Sequence, residues 1–162
     1  MVLGPMTESE RDVVDALAQL LAEEGLTLGT VECATGGAVG HRLFDTEDGP
    51  AVLGNSLNAE TVEEAIDFLG LPYHQFQTGD FSAKAARAAA RVGRDFLDVD
   101  LCLAVWAEPL PVDAAEVHET VYVALHTGDD VVDDILHFDG PKVEMTGWVA
   151  EQALVFAHRI LA

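Results

Sequence analysis

A short apolar segment followed directly by small residues and glycines predicts a strand, a turn and a helix near the start of this chain. The run Leu26-Thr27-Leu28-Gly29-Thr30-Val31 is expected to form a buried strand, and residues 38–44 are expected to form a helix. The turn between them contains Cys33-Ala34-Thr35-Gly36-Gly37. The first backbone N–H groups of a helix have no partner within it, and glycine lets a ligand approach the backbone closely. The pattern therefore indicates a binding site at this turn.

Two interpretations of the turn remain open. In the functional one, Cys33 is a nucleophile and Thr35, Gly36 and Gly37 bind a ligand. In the structural one, Cys33 is a small buried residue at a strand end, and Thr35 caps the helix before a tight entry.

Helical and strand patterns alternate along the rest of the chain. We predict a helix from the capping box Thr7-Glu8-Ser9-Glu10 to residue 24, a helix capped by Asn58 and ending at Leu69, a helix over residues 83–96 capped by Ser82, and a last helix from Thr146 to Leu161. Predicted strands are residues 51–53, the apolar run 101–106, and a hairpin of residues 119–126 and 131–138, with a turn at residues 46–50. This order indicates one α/β domain over residues 1–162, a three-layer sandwich around a mixed central sheet.

Acidic side chains dominate the charge of the chain. There are 29 Asp and Glu residues against 8 Lys and Arg, a formal net charge of −21. A field of this sign repels phosphate backbones and anionic lipid surfaces, so we expect neither nucleic-acid binding nor membrane binding. The acidity favours solubility, or a salt-rich cytoplasm that screens the repulsion. It also disfavours an anionic ligand, since the basic residues expected near the turn are only Arg42 and Lys142.

Other classes of site lack a signature in the sequence. The two cysteines and six scattered histidines have no ligand spacing, so we expect no disulfide framework, no metal and no cofactor. No stretch reaches eighteen consecutive apolar residues, as a membrane-spanning helix would require. The first five residues are too short and uncharged for a signal peptide, and a cytoplasmic location is expected.

Several segments, in order, resemble the CinA C-terminal domain family, whose active members hydrolyse the amide of nicotinamide mononucleotide. The matching segments are Val31 to Gly37, Leu69-Gly70-Leu71-Pro72, Gly79-Asp80-Phe81-Ser82, residues 120–125, and Phe138-Asp139-Gly140-Pro141-Lys142. The resemblance implies the fold predicted above, a small-molecule crevice and a homo-oligomer, with Lys142 among the ligand-binding residues.

The residues that carry the family's chemistry are replaced here. Its nucleophilic Ser falls on Cys33, and its Tyr and Lys fall on Glu60 and Ala65. Its glycine-rich loop falls on Trp106-Ala107-Glu108-Pro109-Leu110-Pro111, and a late Arg falls on Thr146. An amidase needs a base for its nucleophile and donors for the oxyanion, and both are lost in this alignment.

Three functions remain open on these grounds. The first is a diverged family member that has lost or altered its amidase activity and still binds a small molecule. The second is an active amidohydrolase with Cys33 as nucleophile and Glu60 or Glu108 as base. The third is a structural oligomer subunit in which Trp106 fills the pocket beside the family's glycine-rich loop. In all three, Cys33, Thr35 and Gly36 are expected at the carboxyl end of a central strand, with Glu60, Trp106 and Glu108 lining the same crevice.

Overall fold

A computed structural model describes residues 8–72 and 79–162 of the chain. The predicted cap Thr7 lies outside the described residues. In chain order the elements are α1 Glu8–Glu24, β1 Leu28–Cys33, α2 Ala38–Phe44, α3 Gly49–Val52, β2 Leu53–Ala59, α4 Val62–Leu69, α5 Ala83–Leu97, β3 Leu101–Trp106, β4 Glu116–His126, β5 Val131–Pro141 and α6 Lys142–Leu161.

The five strands form one mixed sheet in the order β2-β1-β3-β4-β5. Strand β1 pairs in parallel with both β2 and β3, whereas β3, β4 and β5 are antiparallel. All residues of β1 and β3 are buried, because helices cover both faces of the sheet at its centre. The carboxyl ends of β1, β2 and β3 meet at one edge of the sheet, where Cys33 pairs with Ala59 on one side and Trp106 on the other.

Two separate hydrophobic cores lie on the two faces of the sheet. On one face, α1, α2, α3 and α6 pack over Leu28, Leu103 and Val105. On the other, α4 and α5 pack over Val31, Cys33, Ala104 and Trp106, among others. The predicted three-layer α/β sandwich with a mixed sheet is therefore confirmed.

Helix α5 packs against the sheet at very short range. It buries four alanines, and a Cβ atom added at Gly93 would lie 2.7 Å from Sγ of Cys102 and 2.9 Å from a methyl of Val31. The small residues of this helix thus let its backbone approach β1 and β3 closely. The hydroxyl of Ser82 accepts a hydrogen bond from the N–H of Ala85, which confirms its predicted role as the cap of this helix.

Several predicted boundaries are wrong. The first strand is Leu28–Cys33 instead of residues 26–31, so Cys33 belongs to β1 and not to the turn. Residues 49–52 form the short helix α3 instead of a strand, with Pro50 in its first turn. Asn58 lies inside β2, opposite Glu32, and the cap of α4 is Thr61, whose hydroxyl accepts from the N–H of Glu64. Thr146 lies within α6, which begins directly after β5 at Lys142. In each case the observed element depends on pairing or packing with a distant segment, which the local sequence signals do not include.

The hairpin is confirmed and is longer than predicted, since its pairing continues to Glu116 opposite Pro141. Among the described residues, no helix is both long enough and apolar enough to cross a lipid bilayer.

Candidate functional site

A fully buried carboxylate organises the turn at the end of β1. Oε1 of Glu32 accepts from the Thr35 hydroxyl at 2.7 Å and from the N–H of Val39 at 2.9 Å. Oε2 accepts from the Thr30 hydroxyl and from the N–H of Gly40, both at 2.9 Å. Because strand side chains alternate, Glu32 faces α2 whereas its neighbour Cys33 faces the opposite layer. Glu32 therefore joins the strand, the turn and the first turn of α2.

This network corrects two expectations about the turn. The N–H groups of Val39 and Gly40 are already bonded to Glu32, so they do not point at a ligand. Thr35 is buried and its hydroxyl donates to Glu32 instead of capping the helix, since a carboxylate oxygen can only accept. The N-cap residue of α2 is Gly37, so no side chain at that position caps the helix.

Three residues of the turn have left-handed backbone conformations, which glycine adopts without strain. Ala34, Gly36 and Gly37 have φ values of 61°, 62° and 83°. A Cβ atom on Gly37 would also lie 3.2 Å from the side-chain nitrogen of Asn58. Gly37 thus allows β2 and the turn to approach each other closely.

Two adjoining clefts open beside this turn. The first cleft has a volume of about 410 Å³ and is lined by Ala34, Gly36, Asn58, Ala59, Glu60, Thr61 and Pro109. The second cleft, of about 580 Å³, lies between α2 and α6 and is lined by Gly36, Gly37, Ala38, His41, Arg42, Asp45, Asn58, Gly147 and Ala150. Gly36 and Asn58 border both, so the Thr-Gly-Gly turn forms the ridge between the two clefts.

Arg42, which lines the second cleft, is paired with a buried acid. Nε of Arg42 donates to Oε2 of Glu151 at 2.7 Å, and Nη2 donates to Oε1 at 3.3 Å. Glu151 is 2% exposed, so its charge depends on this partner. The guanidinium is thereby engaged in joining α2 to α6.

Cys33 does not face either cleft. Its side chain is fully buried in the core between the sheet and α4/α5. Burial raises the pKa of the thiol to about 12, and the charges of Glu32, Glu63 and Glu64 add to the rise. A nucleophilic cysteine needs a lowered pKa and access to substrate, and Cys33 has neither.

Trp106 does not line the crevice, contrary to the prediction. Its indole is fully buried on the α4/α5 face, and Nε1 donates to the backbone oxygen of Asp80 at 2.7 Å. The last residue of β3 points in the same direction as Cys33 because the two are paired in register. Trp106 is thus a core residue, and it leaves the cleft open.

The remaining predicted site residues are distributed around the turn. Glu60 lines the first cleft, as expected from the pairing of Cys33 with Ala59. Glu108 is exposed and is not among the residues lining the two clefts, whereas its neighbour Pro109 lines the first. Nζ of Lys142 donates to the backbone oxygens of Pro111 and Val112, at 2.6 and 3.2 Å, so this side chain fixes the loop after β3.

Sequence reasoning missed Asn58 as a cleft residue and Glu32 as the centre of the turn. The sequence signal for Glu32 was an acid inside a mostly apolar strand, where a buried carboxylate requires hydrogen-bond donors. Asn58 was predicted to cap the following helix, and nothing in the sequence indicated that it lies in a strand beside the turn. Within the described residues, no cluster of His, Cys, Asp and Glu has a geometry that could hold a metal ion.

Comparison with known proteins agrees with this architecture. The family model of the CinA C-terminal domain matches residues 10–161. The chain is similar to a CinA-like protein of Geobacter sulfurreducens, at 33% identity over 123 residues that cover 74% of this chain and 30% of that protein. It is also similar to a CinA-like protein of Geotalea daltonii, at 29% identity over 95% of this chain and 38% of that protein. The chain thus spans about a third of the length of these curated relatives.

Solved structures show the same fold. A competence-damaged protein (CinA) superfamily protein from Enterobacter cloacae superposes with a TM-score of 0.82 at 20% identity, over 100% of this chain and 98% of that chain. A competence or damage-inducible protein from Enterobacter asburiae gives 0.78 at 21% identity, over 94% of this chain and 98% of that chain. Because the family model spans nearly the whole sheet and its helices, this chain belongs to the CinA C-terminal domain family.

Proposed function

We propose that this protein is a diverged member of its family that binds a small molecule in the first cleft and has lost the hydrolysis of nicotinamide mononucleotide. The observation that carries the proposal is the position of Cys33. Its thiol stands where the family resemblance requires the nucleophile, yet it is buried on the α4/α5 face with a pKa raised to about 12. A thiol held in this way does not attack a substrate in a cleft on the surface.

The loss of assisting groups supports the same conclusion. Ala65, which falls on the family's Lys, is fully buried in α4. Glu60 lines the first cleft and Glu108 is exposed, whereas the Cys33 thiol is buried in the α4/α5 core, so neither acid is positioned as its base. General-base assistance contributes roughly 10²–10⁴-fold to such reactions. A missing oxyanion donor removes about 10²–10³ more.

The shape of the site supports retained binding. A cleft of about 410 Å³ falls within the range of small-molecule sites, roughly 300–1,000 Å³. One side of this cleft is the Thr-Gly-Gly turn, which hydrogen bonds to Glu32 hold in place. A rigid turn beside an open cleft is a suitable binding surface because little ordering is required when a ligand binds.

The test is an incubation with nicotinamide mononucleotide, followed by measurement of released ammonia. We expect wild type and Cys33→Ala to give the same background, while an active member of the family gives robust release under the same conditions. Turnover by wild type that disappears in Cys33→Ala would contradict the proposal and would favour a thiol hydrolase.

Binding is measured separately, by the amide resonances of Gly36 and Thr61 in NMR spectra. Gly128, in the hairpin turn between β4 and β5, lies at the opposite edge of the sheet and serves as the internal control. Ligands of the first cleft should shift the resonances of Gly36 and Thr61 and leave that of Gly128 unchanged.

A further inference from the structure

The first cleft is apolar except for one acid and a few neutral polar groups. Ala34, Ala59 and Pro109 supply the apolar walls, and Asn58 and Thr61 supply groups that can form hydrogen bonds. Among the lining residues that the structure describes, Glu60 is the only one with an ionisable side chain. It is exposed, and within residues 8–72 and 79–162 no basic side chain forms an ion pair with it.

Two basic side chains at this end of the sheet, Arg42 and Lys142, are already engaged. Arg42, across the ridge in the second cleft, forms two hydrogen bonds with the buried carboxylate of Glu151. Lys142 donates to the backbone oxygens of Pro111 and Val112. Neither group is placed to neutralise an anion in the first cleft, so the described lining has no counter-charge for a phosphate or a carboxylate.

Further negative charge surrounds the same end of the sheet. Glu63 and Glu64 lie in the first turn of α4, directly after the cleft residue Thr61. Their charges act on the end of β1, where they contribute to the raised pKa of Cys33. The net charge of −21 gives the whole surface the same sign. A cation entering the cleft is attracted by this field, and an anion is repelled.

We infer that the first cleft selects its ligand by charge and takes a small organic cation, a protonated amine on a compact apolar body, in preference to an anion. This inference rests on the proposed function, since it concerns the same cleft. The apolar walls contact the body of the ligand, and the carboxylate of Glu60 contacts its charged end.

The experiment uses three probes of nearly equal size and different charge: benzylamine as the cation, benzyl alcohol as the neutral form and benzoate as the anion. Each is titrated to about 10 mM into the whole protein at pH 7 and low salt, and the resonances of Gly36 and Thr61 are followed. We expect benzylamine to bind at least about fivefold more tightly than benzoate, as one partly screened charge pair would produce.

Two variants with the same change in net charge separate the contact from the general field. Glu60→Gln should bring the affinity for benzylamine most of the way down to that for benzyl alcohol, because only the general field of the acidic surface then remains. Glu47→Gln, at an exposed acid outside the first cleft, should keep the wild-type preference. An unchanged preference in Glu60→Gln, or the same loss in both variants, would overturn the role of Glu60.

The outcomes also separate this inference from the function on which it rests. If all three probes bind with equal affinity, or benzoate binds best, the cleft is a binding site and the charge selection is wrong. If none of them shifts Gly36 or Thr61, both the selection and the proposed binding function are wrong.

Discussion

The carboxylate of Glu32 accepts four hydrogen bonds, from Thr30, Thr35, Val39 and Gly40. These donors belong to β1, to the turn and to α2, so one buried side chain fixes the relative position of all three. Ser56 extends the network to β2. The single hydroxyl hydrogen of Thr30 is donated to Glu32, so the hydrogen bond of 2.9 Å between Thr30 and Ser56 is donated by the Ser56 hydroxyl. The shape of the candidate site thus depends on a fully buried residue that lines neither cleft.

Replacing Glu32 by Gln should destabilise the protein. The amide NH₂ group cannot accept, so the N–H of Val39 or of Gly40 loses its partner in a buried position. We expect unfolding in urea to show a loss of about 1–3 kcal/mol. Glu47→Gln, at an exposed position, should stay within about 0.5 kcal/mol of wild type. Equal stability of both variants would mean that the network is not held by the charge of Glu32.

The two buried thiols should make the fold sensitive to alkali. Burial raises the pKa of both Cys33 and Cys102 from 9.0 to about 12. The folded state therefore keeps protons that the unfolded state releases above about pH 9, and the free energy of unfolding falls as pH rises from about 9 to 12.

Alanine variants isolate this contribution from other groups that titrate in the same range. Cys33→Ala and Cys102→Ala should each show a shallower loss of stability with pH than wild type. The measurement is the urea midpoint between pH 8 and pH 11. Slopes that match wild type in both variants would contradict the raised pKa values.

At the scale of elements, ion pairs of different burial connect the helices to one another and to the edge strand. Arg42 and Glu151 join α2 to α6, with the Glu151 side chain almost fully buried. Arg159 on α6 pairs with Asp134 on β5 at 2.8 Å, and both of these side chains are exposed. Since burial determines how much an ion pair matters when one partner is removed, the two pairs should respond very differently.

Truncating the arginine of each pair tests this difference. Arg42→Ala leaves the carboxylate of Glu151 buried without its partner, and we expect a loss of about 3 kcal/mol in the free energy of unfolding. Arg159→Ala should change it by no more than about 1 kcal/mol, because water solvates Asp134. Similar losses in the two variants, measured by urea unfolding, would show that Glu151 is solvated or neutral in the folded protein.

At the scale of the whole molecule, the dominant feature is the net charge of −21. Four ion pairs join residues that the structure describes, and one of them depends on the protonation of His118, so these pairs neutralise only four of the 29 acids. Repulsion among acids then acts against the compact state, where they are closest together. Salt should relieve this repulsion by shortening the distance over which the charges act.

The melting temperature should therefore rise as potassium chloride increases from about 0.01 M to 1 M, while the screening length falls from roughly 30 Å to 3 Å. Calorimetry or circular dichroism gives the measurement, and most of the rise should occur at the lower concentrations. A melting temperature that stays flat or falls over this range would show that the acids are compensated locally.

Sequence patterns determined the elements whose signals are local. The apolar run of β3, the hairpin of β4 and β5, and α5 behind its Ser82 cap were predicted close to their observed limits. In each, periodicity, turn residues or a cap lie within the same segment, so no distant partner is needed to recognise the element. The placement of Glu60 beside the turn also followed from the sequence, through the family resemblance.

Only the tertiary structure decided whether Glu32 or its neighbour Cys33 takes part in the candidate site. Adjacent strand residues point to opposite faces, so either Glu32 or Cys33 faces α2, and the packing of the helices settles that choice in favour of Glu32. Strand β2, which contains Asn55, Ser56 and Asn58, has little intrinsic strand preference and exists because β1 supplies its backbone partners. The same alternation directs Trp106 and Cys33 into the core, so two residues that the sequence predicted to be functional are packing residues.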